Sequence, residues 1–182
     1  MAKLHYSPSL GRLSRCTSDN CPFEHFDAEN MKRMAPVMLM GSPSVMKNSF
    51  QGIRVLPQAI APALNQLRSA MSPKLFENII QNRVNRDGAS DHYHVTTIRP
   101  NEFRALKREG KSLEVTKPFH FELKGVGTVS NEKTQVWYAV ADSVSLDQYR
   151  YSLGLPRLDY HVTLGFTVSD IHDLPKGEKT LI

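Results

Sequence analysis

Apolar positions follow a readable periodicity from about residue 50 onwards. Apolar residues that alternate with polar ones predict strands, and apolar residues three or four positions apart predict amphipathic helices. The first half shows, in order, a strand over 50–56, a helix over 58–70, a helix over 73–87, a strand over 93–99 and a helix over 101–109. Pro57 suits the first turn of the helix that follows it, and Asn101 is the expected N-cap of the third helix, which Gly110 ends.

The second half repeats this alternation of strands and helices. It shows a strand over 119–127, a strand over 135–141, a helix over 145–152 and a strand over 160–166, followed by a loop-like tail. Residues 130–133 are typical of a hairpin turn, and Gly125 and Gly127 indicate a bulge or a close backbone approach. Ser145 is the expected N-cap of the helix. Two matching halves predict a pseudo-symmetric α+β fold with mostly antiparallel sheets.

One strand in each half carries the same four residues, Tyr-His-Val-Thr, at 93–96 and at 160–163. Successive side chains alternate between the two faces of a strand, so His94 and Thr96 share a face, as do His161 and Thr163. If the two strands meet, the site holds two imidazoles and two hydroxyls. Such a set suits acid and base catalysis on a phosphate, because one histidine can be neutral while the other is protonated near neutral pH.

Residues next to the motifs have less specific roles. Tyr93 and Tyr160 point to the opposite face of their strands and are expected in the core. Trp137, in a strongly apolar strand, is also expected in the core rather than as a platform for stacking bases. His92 shares a face with His94, so it either lines the pocket or lies at the surface.

Two arginines lie near the predicted site. Arg99 follows the first motif strand and Arg150 lies on the helix that precedes the second. Each is a candidate contact for a substrate phosphate, and the alternative for each is a solvated surface position.

The composition fits one globular domain with an extension: of 182 residues, 40% are hydrophobic and 23% are charged. The formal charge of +5 agrees with a polyanionic partner, but the basic residues are scattered, as on an ordinary solvated surface. The apolar runs are shorter than the roughly 20 residues that span a bilayer, and the N-terminus lacks the apolar core of a signal peptide. We therefore expect a cytoplasmic protein without membrane contact.

Residues 1–50 differ from the rest and are assigned to an N-terminal extension, with the main domain over 51–182. This extension holds both cysteines, Cys16 and Cys21, followed by His25. A zinc site would use these three residues with His5 as a fourth nitrogen or sulfur ligand. Two free thiols, or a disulfide or redox pair, are the alternatives.

The paired motifs resemble those of the 2H phosphoesterase superfamily, which is defined by two His-x-Thr or His-x-Ser motifs on related lobes. The resemblance covers about residues 50–182 and includes the strings at 123–127, 136–140 and 152–156. The string Asp-Tyr-His-Val-Thr-Leu-Gly-Phe at 159–166, followed by Ser-Asp-Ile-His at 169–172, is most similar to the branch named Swiss Army Knife RNA repair-like.

The resemblance implies a two-lobed fold with flanking helices around a central groove. It makes His94 and His161 the general acid and base and makes Thr96 and Thr163 the ligands of phosphate oxygens, with no metal or other cofactor. It also places a histidine at the position of His172, a candidate substrate contact. The implied activity is that of a phosphoric diester hydrolase.

The implied substrates are 2′,3′-cyclic phosphates or related RNA-derived ends, as in RNA processing and repair. Nucleotides and cyclic nucleotides are the small-molecule partners of the same kind. The same four motif residues would also serve a hydrolase of cyclic oligonucleotide signals or of ADP-ribose cyclic phosphate. A non-catalytic module that binds RNA ends is the remaining alternative.

Overall fold

The structure is a computed structural model that describes the strand backbones at 3–7, 12–15 and 26–27 together with residues 34–47 and 49–182. The strands are β1 (Lys3–Ser7), β2 (Arg12–Arg15), β3 (Phe26–Asp27), β4 (Val37–Gly41), β5 (Ser44–Met46), β6 (Phe50–Val55), β7 (Tyr93–Ile98), β8 (Phe119–Ser130), β9 (Gln135–Asp142) and β10 (His161–Phe166). The helices are α1 (Pro57–Ala70), α2 (Pro73–Asp87), α3 (Pro100–Arg108), α4 (Val144–Ser152) and a single 3-10 turn, η1 (Glu178–Thr180). Cys16, Cys21 and His25 of the zinc hypothesis lie outside the described residues, as does the side chain of His5.

Antiparallel pairing builds both main sheets. One sheet has the strand order β5-β6-β7, and the other has the order β10-β9-β8-β4. A small third sheet has the order β2-β1-β3. With four helices around these sheets the fold is α+β, and both the alternation of elements and the antiparallel sheets predicted from the sequence are confirmed.

The two strands that carry the repeated motif are edge strands of different sheets, and they lie side by side. Their apolar side chains, Val95 on β7 and Val162 and Leu164 on β10, are fully buried in the main core. The alternation of a strand then turns the histidines and threonines of both motifs to the other face. This is why two separate sheets contribute to a single groove.

Helix α2 packs beneath β10 at a position where only glycine fits. A Cβ atom on Gly165 would lie 2.7 Å from the carbonyl oxygen of Ile79. Ile79 itself is fully buried, in the same core as the apolar face of β10. The close contact between strand and helix therefore fixes the second motif strand on its support.

Two predicted helix caps are wrong by a few residues. Pro100 occupies the first turn of α3, where its missing N–H would have no partner in any case, so the N-cap is Arg99 and Asn101 lies inside the helix. The N-cap of α4 is Ser143, whose hydroxyl accepts a hydrogen bond from the backbone of Leu146. Ser145 lies within the first turn.

The glycine-rich part of β8 behaves as the sequence indicates. The pairing of β8 with β9 shifts register between Leu123 and Gly125, which is a β-bulge, and Gly125 has φ +158°. The sheets also extend before residue 51, because β4 pairs with β8 and β5 pairs with β6. The proposed boundary at residue 50 therefore falls at the first residue of β6, inside a sheet.

The tail after β10 is anchored rather than loose. Leu181 forms a bridge to Gly127, and the backbone N–H of Ile182 donates to Val126. Tyr138 donates a hydrogen bond to Thr180, with 2.7 Å between the two oxygens. The tail thus returns across β8 and brings residues 170–176 beside the second motif.

Within the described part of the chain, no helix has both the length and the apolar character needed to cross a bilayer.

Candidate active site

A groove of about 760 Å³ runs between the two motif strands. His94, Thr96, His161 and Thr163 all line it, so the structure brings together the four motif residues that the sequence singled out. The two tyrosines that precede the histidines are buried, as expected, and so is Trp137.

The histidine of the first motif packs against an aromatic side chain. His94 is half-buried, and its ring lies 5.3 Å from the ring of Phe50, measured between centroids. Burial lowers the pKa of His94. Within the described residues the Thr96 hydroxyl makes no hydrogen bond, so it can donate one to a ligand in the groove.

The second motif holds its imidazole in one tautomer. The Nδ1 atom of His161 lies 2.8 Å from the carbonyl oxygen of Asp159. A carbonyl oxygen only accepts hydrogen bonds, so Nδ1 carries the proton and Nε2 keeps its lone pair. The rings of His161 and Tyr138 contact each other edge to face, with 5.5 Å between their centroids.

A charge cluster, buried except at Arg86, lies behind this histidine. The Asp170 carboxylate accepts from the Lys176 ammonium at 2.7 Å and from the Arg86 guanidinium at 2.5 Å. It also accepts a hydrogen bond from the Thr163 hydroxyl at 3.2 Å. The Arg86 guanidinium also forms an ion pair with the Asp87 carboxylate, with 2.8 Å between nitrogen and oxygen. All four of these charged residues line the groove.

The charge cluster reaches His161 through Lys176, whose Nζ atom lies 3.4 Å from Nε2. Burial, together with the positive charge of Lys176, lowers the pKa of His161 to about 3. Burial acts to raise the pKa of Asp170, but the neighbouring cations, Lys176 first and then Arg86, together outweigh it and lower that pKa to about 2. In the unliganded protein at neutral pH, His161 is therefore neutral and Asp170 is a carboxylate. Burial lowers the pKa of Lys176, and the ion pair with Asp170 acts against that effect.

Three of the other predicted residues lie at the groove. Arg99 and His172 are exposed and line its wall, and the half-buried His92 does the same. Within the described residues Arg99 and His172 make no ion pair. Nε2 of His92 lies 4.0 Å from the Asp91 carboxylate, and Nδ1 of His92 lies 3.4 Å from the carbonyl oxygen of Asp87.

Arg150 lies elsewhere, and its candidate role as a phosphate contact is wrong in this structure. Its side chain is 0% exposed and does not line the groove. The guanidinium donates to both carboxylate oxygens of Glu102 and to the carbonyl oxygens of Thr97 and Pro156. The residue joins α4 to β7 and α3.

Local sequence patterns give little sign of three groove residues. Lys176 lies in the tail that the sequence predicts as a loop, and Arg86 is one of several basic residues on predicted helices. Asp170 belongs to the string that carries the family resemblance, but the resemblance implies no role for it. A signal was available in the combination of Asp170 and Lys176, two charges of opposite sign close behind a motif strand.

Among the residues that the structure describes, no group of three or more His, Cys, Asp or Glu side chains is arranged to hold a metal ion.

Comparison with known proteins agrees with the geometry. The model of the family described as "Swiss Army Knife, 2H phosphoesterase domain" matches residues 59–172, which is more than half of the chain. No curated protein and no solved structure matches the chain significantly. The matched range contains both motif strands, α2, α3, α4 and Asp170, whereas Lys176 lies beyond it. The chain belongs to the Swiss Army Knife family of 2H phosphoesterases.

Proposed function

We propose that this protein is a metal-independent phosphodiesterase that hydrolyses 2′,3′-cyclic phosphates at RNA-derived ends. Membership of a phosphoesterase family supports the reaction class. The observation that carries the proposal is that His94 and His161, on adjacent edge strands, line one groove together with two threonine hydroxyls.

The geometry of His161 favours the role of general base. Its Nδ1 proton is held by the Asp159 carbonyl, so Nε2 carries the lone pair. In the unliganded protein this lone pair faces the Lys176 ammonium at 3.4 Å, and it takes a proton from water when the ammonium turns to a bound ligand. Its lowered pKa keeps it neutral before the reaction. A bound phosphate anion raises that pKa toward the range of an effective base. His94 then acts as the general acid, and a bound phosphate anion favours its protonated form.

The proposed reaction is an in-line displacement at phosphorus. A water molecule attacks the phosphorus atom and gives its proton to Nε2 of His161, while the bond from phosphorus to one ribose oxygen breaks. His94 donates a proton to that departing oxygen. The products are a ribose hydroxyl and a phosphate monoester. His161 then releases its extra proton to solvent and His94 takes one from solvent, which restores both histidines.

The size and charge of the groove support a nucleotide-sized or larger substrate. A volume of about 760 Å³ lies in the range of sites that bind whole small molecules rather than a single phosphate group. Lys47, Arg54 and Arg99 are exposed on its walls, and no ion pair neutralises them within the described residues. Their positive charge suits the further phosphates of a nucleic-acid end.

The direct test is cleavage of adenosine 2′,3′-cyclic phosphate in the presence of EDTA. His94→Ala and His161→Ala should each lower kcat/KM by about 10²- to 10⁴-fold, the usual contribution of one positioned acid or base. His120→Ala is the matched control, because His120 is an exposed histidine away from the groove. Undiminished activity in both motif variants would refute the assignment of His94 and His161 as acid and base.

A substrate panel separates the related activities. Cyclic dinucleotides and ADP-ribose cyclic phosphate test hydrolysis of other cyclic phosphates by the same four residues. Tight binding of RNA ends without turnover of any member would instead support a binding module.

A further inference from the structure

The two motifs differ in the state of their threonines. Thr96 has a hydroxyl without a hydrogen-bond partner in the described structure, whereas Thr163 already donates its hydroxyl proton to the Asp170 carboxylate at 3.2 Å. A hydroxyl has one proton to donate. In this arrangement Thr163 cannot also donate to a phosphate oxygen, so the second half of the groove needs another donor.

Lys176 lies where such a donor is required. Its Nζ atom is 3.4 Å from Nε2 of His161, the atom that faces the reacting groups, and the lysine lines the groove although its side chain is only 3% exposed. An ammonium has three protons to donate. One of them is directed to Asp170 and one toward His161, which leaves one for a ligand.

The cluster holds four charged side chains. Arg86 and Lys176 carry two positive charges, and Asp170 and Asp87 carry two negative ones, so the charges balance. The Asp87 carboxylate contacts Nε and Nη2 of Arg86, whereas Asp170 contacts Nη1. Lys176 therefore offers a ligand a directed N–H donor rather than the net charge of the cluster.

The position of Lys176 is fixed by its own backbone and by its neighbours. Its backbone N–H donates to the Asp159 carboxylate at 3.2 Å, and the adjacent Gly177 leaves no room for a Cβ atom beside that same carboxylate. The ammonium lies over the ring of Tyr138, 5.5 Å from the centroid. A lysine held at both ends loses little further freedom when it binds a ligand.

We propose that Lys176 binds a non-bridging phosphate oxygen of the substrate in the second half of the groove, the contact that the motif resemblance assigns to Thr163. Thr163 then supports the site indirectly, by helping to hold Asp170, and Thr96 remains the direct hydroxyl donor in the first half. The proposal rests on the proposed function, since it requires that a phosphate enters the groove.

The test measures both binding of inorganic phosphate, by calorimetry, and cleavage of adenosine 2′,3′-cyclic phosphate. Lys176→Met should weaken phosphate binding and lower kcat/KM by about 10- to 100-fold, because that is the usual effect of losing a hydrogen bond to a charged group. Lys176→Gln keeps a donor for Asp170 without the charge and should show a similar loss. Lys176→Arg keeps the charge and should restore most of the binding.

Two further variants compare the threonines. Thr163→Val should weaken phosphate binding by less than about threefold, and Thr96→Val should weaken it by about tenfold. Lys179→Met is the matched control, because it removes an exposed lysine three residues farther along the same tail. Urea unfolding of each variant shows whether it is folded under the assay conditions, and Lys176→Gln carries the test if Lys176→Met does not fold.

Failure of the inference and failure of the proposed function look different. If both neutral Lys176 variants cleave the substrate and bind phosphate like the wild type, while Thr163→Val loses much of its binding, the role of Lys176 is refuted. The proposed function is unaffected by that result. A wild-type protein that neither binds phosphate nor cleaves the cyclic phosphate overturns both proposals.

Discussion

Replacing Arg150 by methionine should strongly destabilise the protein without a direct effect on phosphate binding. Arg150 is a buried charged contact between the helix before the second motif and the elements around the first. It donates four hydrogen bonds of 2.6–2.9 Å, two of them to the Glu102 carboxylate. Glu102 is nearly buried, with a side chain that is 14% exposed.

The size of the effect follows from what methionine leaves behind. The Glu102 carboxylate would lose its main partner, and the carbonyl oxygens of Thr97 and Pro156 would lose a donor. Removing one partner of a buried ion pair typically costs about 3–5 kcal/mol, because the remaining charge is buried without compensation. For a protein of this length that corresponds to a fall in Tm of roughly 6–20 °C.

Urea unfolding followed by circular dichroism measures the loss of stability. Arg157→Met is the matched control, since Arg157 contacts Asp142 and Asp147 but is 57% exposed. An exposed pair is worth about 0–1 kcal/mol, so this variant should unfold near the wild-type midpoint. Phosphate binding by folded Arg150→Met should stay within about threefold of the wild-type value.

The pH dependence gives a second check on the same pair. Burial acts to raise the pKa of Glu102, but hydrogen bonds from Arg150 and the Arg99 backbone lower it. A carboxylate whose pKa is lowered by folding stabilises the protein above its unfolded pKa, about 4.3, and that stabilisation is lost as the pH falls through the folded-state pKa. The stability difference between wild type and Arg150→Met should therefore shrink below about pH 4. Equal stability of Arg150→Met and Arg157→Met at neutral pH, or loss of phosphate binding in the folded Arg150 variant, would refute the reasoning.

Three further predictions follow from the core and the site. Gly165→Ala should cost about 1–3 kcal/mol in urea unfolding, because its Cβ would press on the Ile79 carbonyl, and an unchanged midpoint would contradict the close contact of α2 with β10. Tyr160→Phe should cost about 1 kcal/mol, because it removes the hydrogen bond to Asp147, whereas a more stable variant would show that this buried hydroxyl is poorly satisfied. The pH profile of kcat/KM should be bell-shaped with its maximum on the acid side of 6.5, because burial lowers the pKa values of both histidines in the free enzyme. A rate that rises steadily into the alkaline range would argue against the histidine pair.

The parts of the fold that the sequence predicted are those set by local patterns. Strand alternation placed His94 and Thr96 on one face and Tyr93 on the other, and the burial of Tyr93 agrees with it. Helix caps were less predictable, because two neighbouring residues often have equally suitable side chains. Ser143 and Ser145 lie two positions apart. Both hydroxyls donate to the His120 carbonyl, a tertiary contact that the local sequence pattern does not show.

The partners of charged side chains were the least predictable part. Arg86 and Lys176 lie 90 positions apart and meet only through Asp170, so no local pattern in the sequence relates them. Arg150 is predicted on a helix near a motif, yet the orientation of α4 decides whether it faces the groove or Glu102. In both cases the contact depends on how three elements pack, which the periodicity of each element does not encode.

The repeated motif implies two equivalent halves, but chemistry at phosphorus requires two different ones, since one group must take a proton and the other must give one. The strands supply the equivalence, because β7 and β10 both present a histidine and a threonine to the groove. The difference comes from what lies behind them: Phe50 beside His94, and the charges of Asp170 and Lys176 beside His161. A variant in which Lys176 and Asp170 are both neutral, Lys176→Met with Asp170→Asn, removes that asymmetry. Its kcat/KM maximum should then move toward 6.5, because the positive charge that lowers the pKa of His161 is gone.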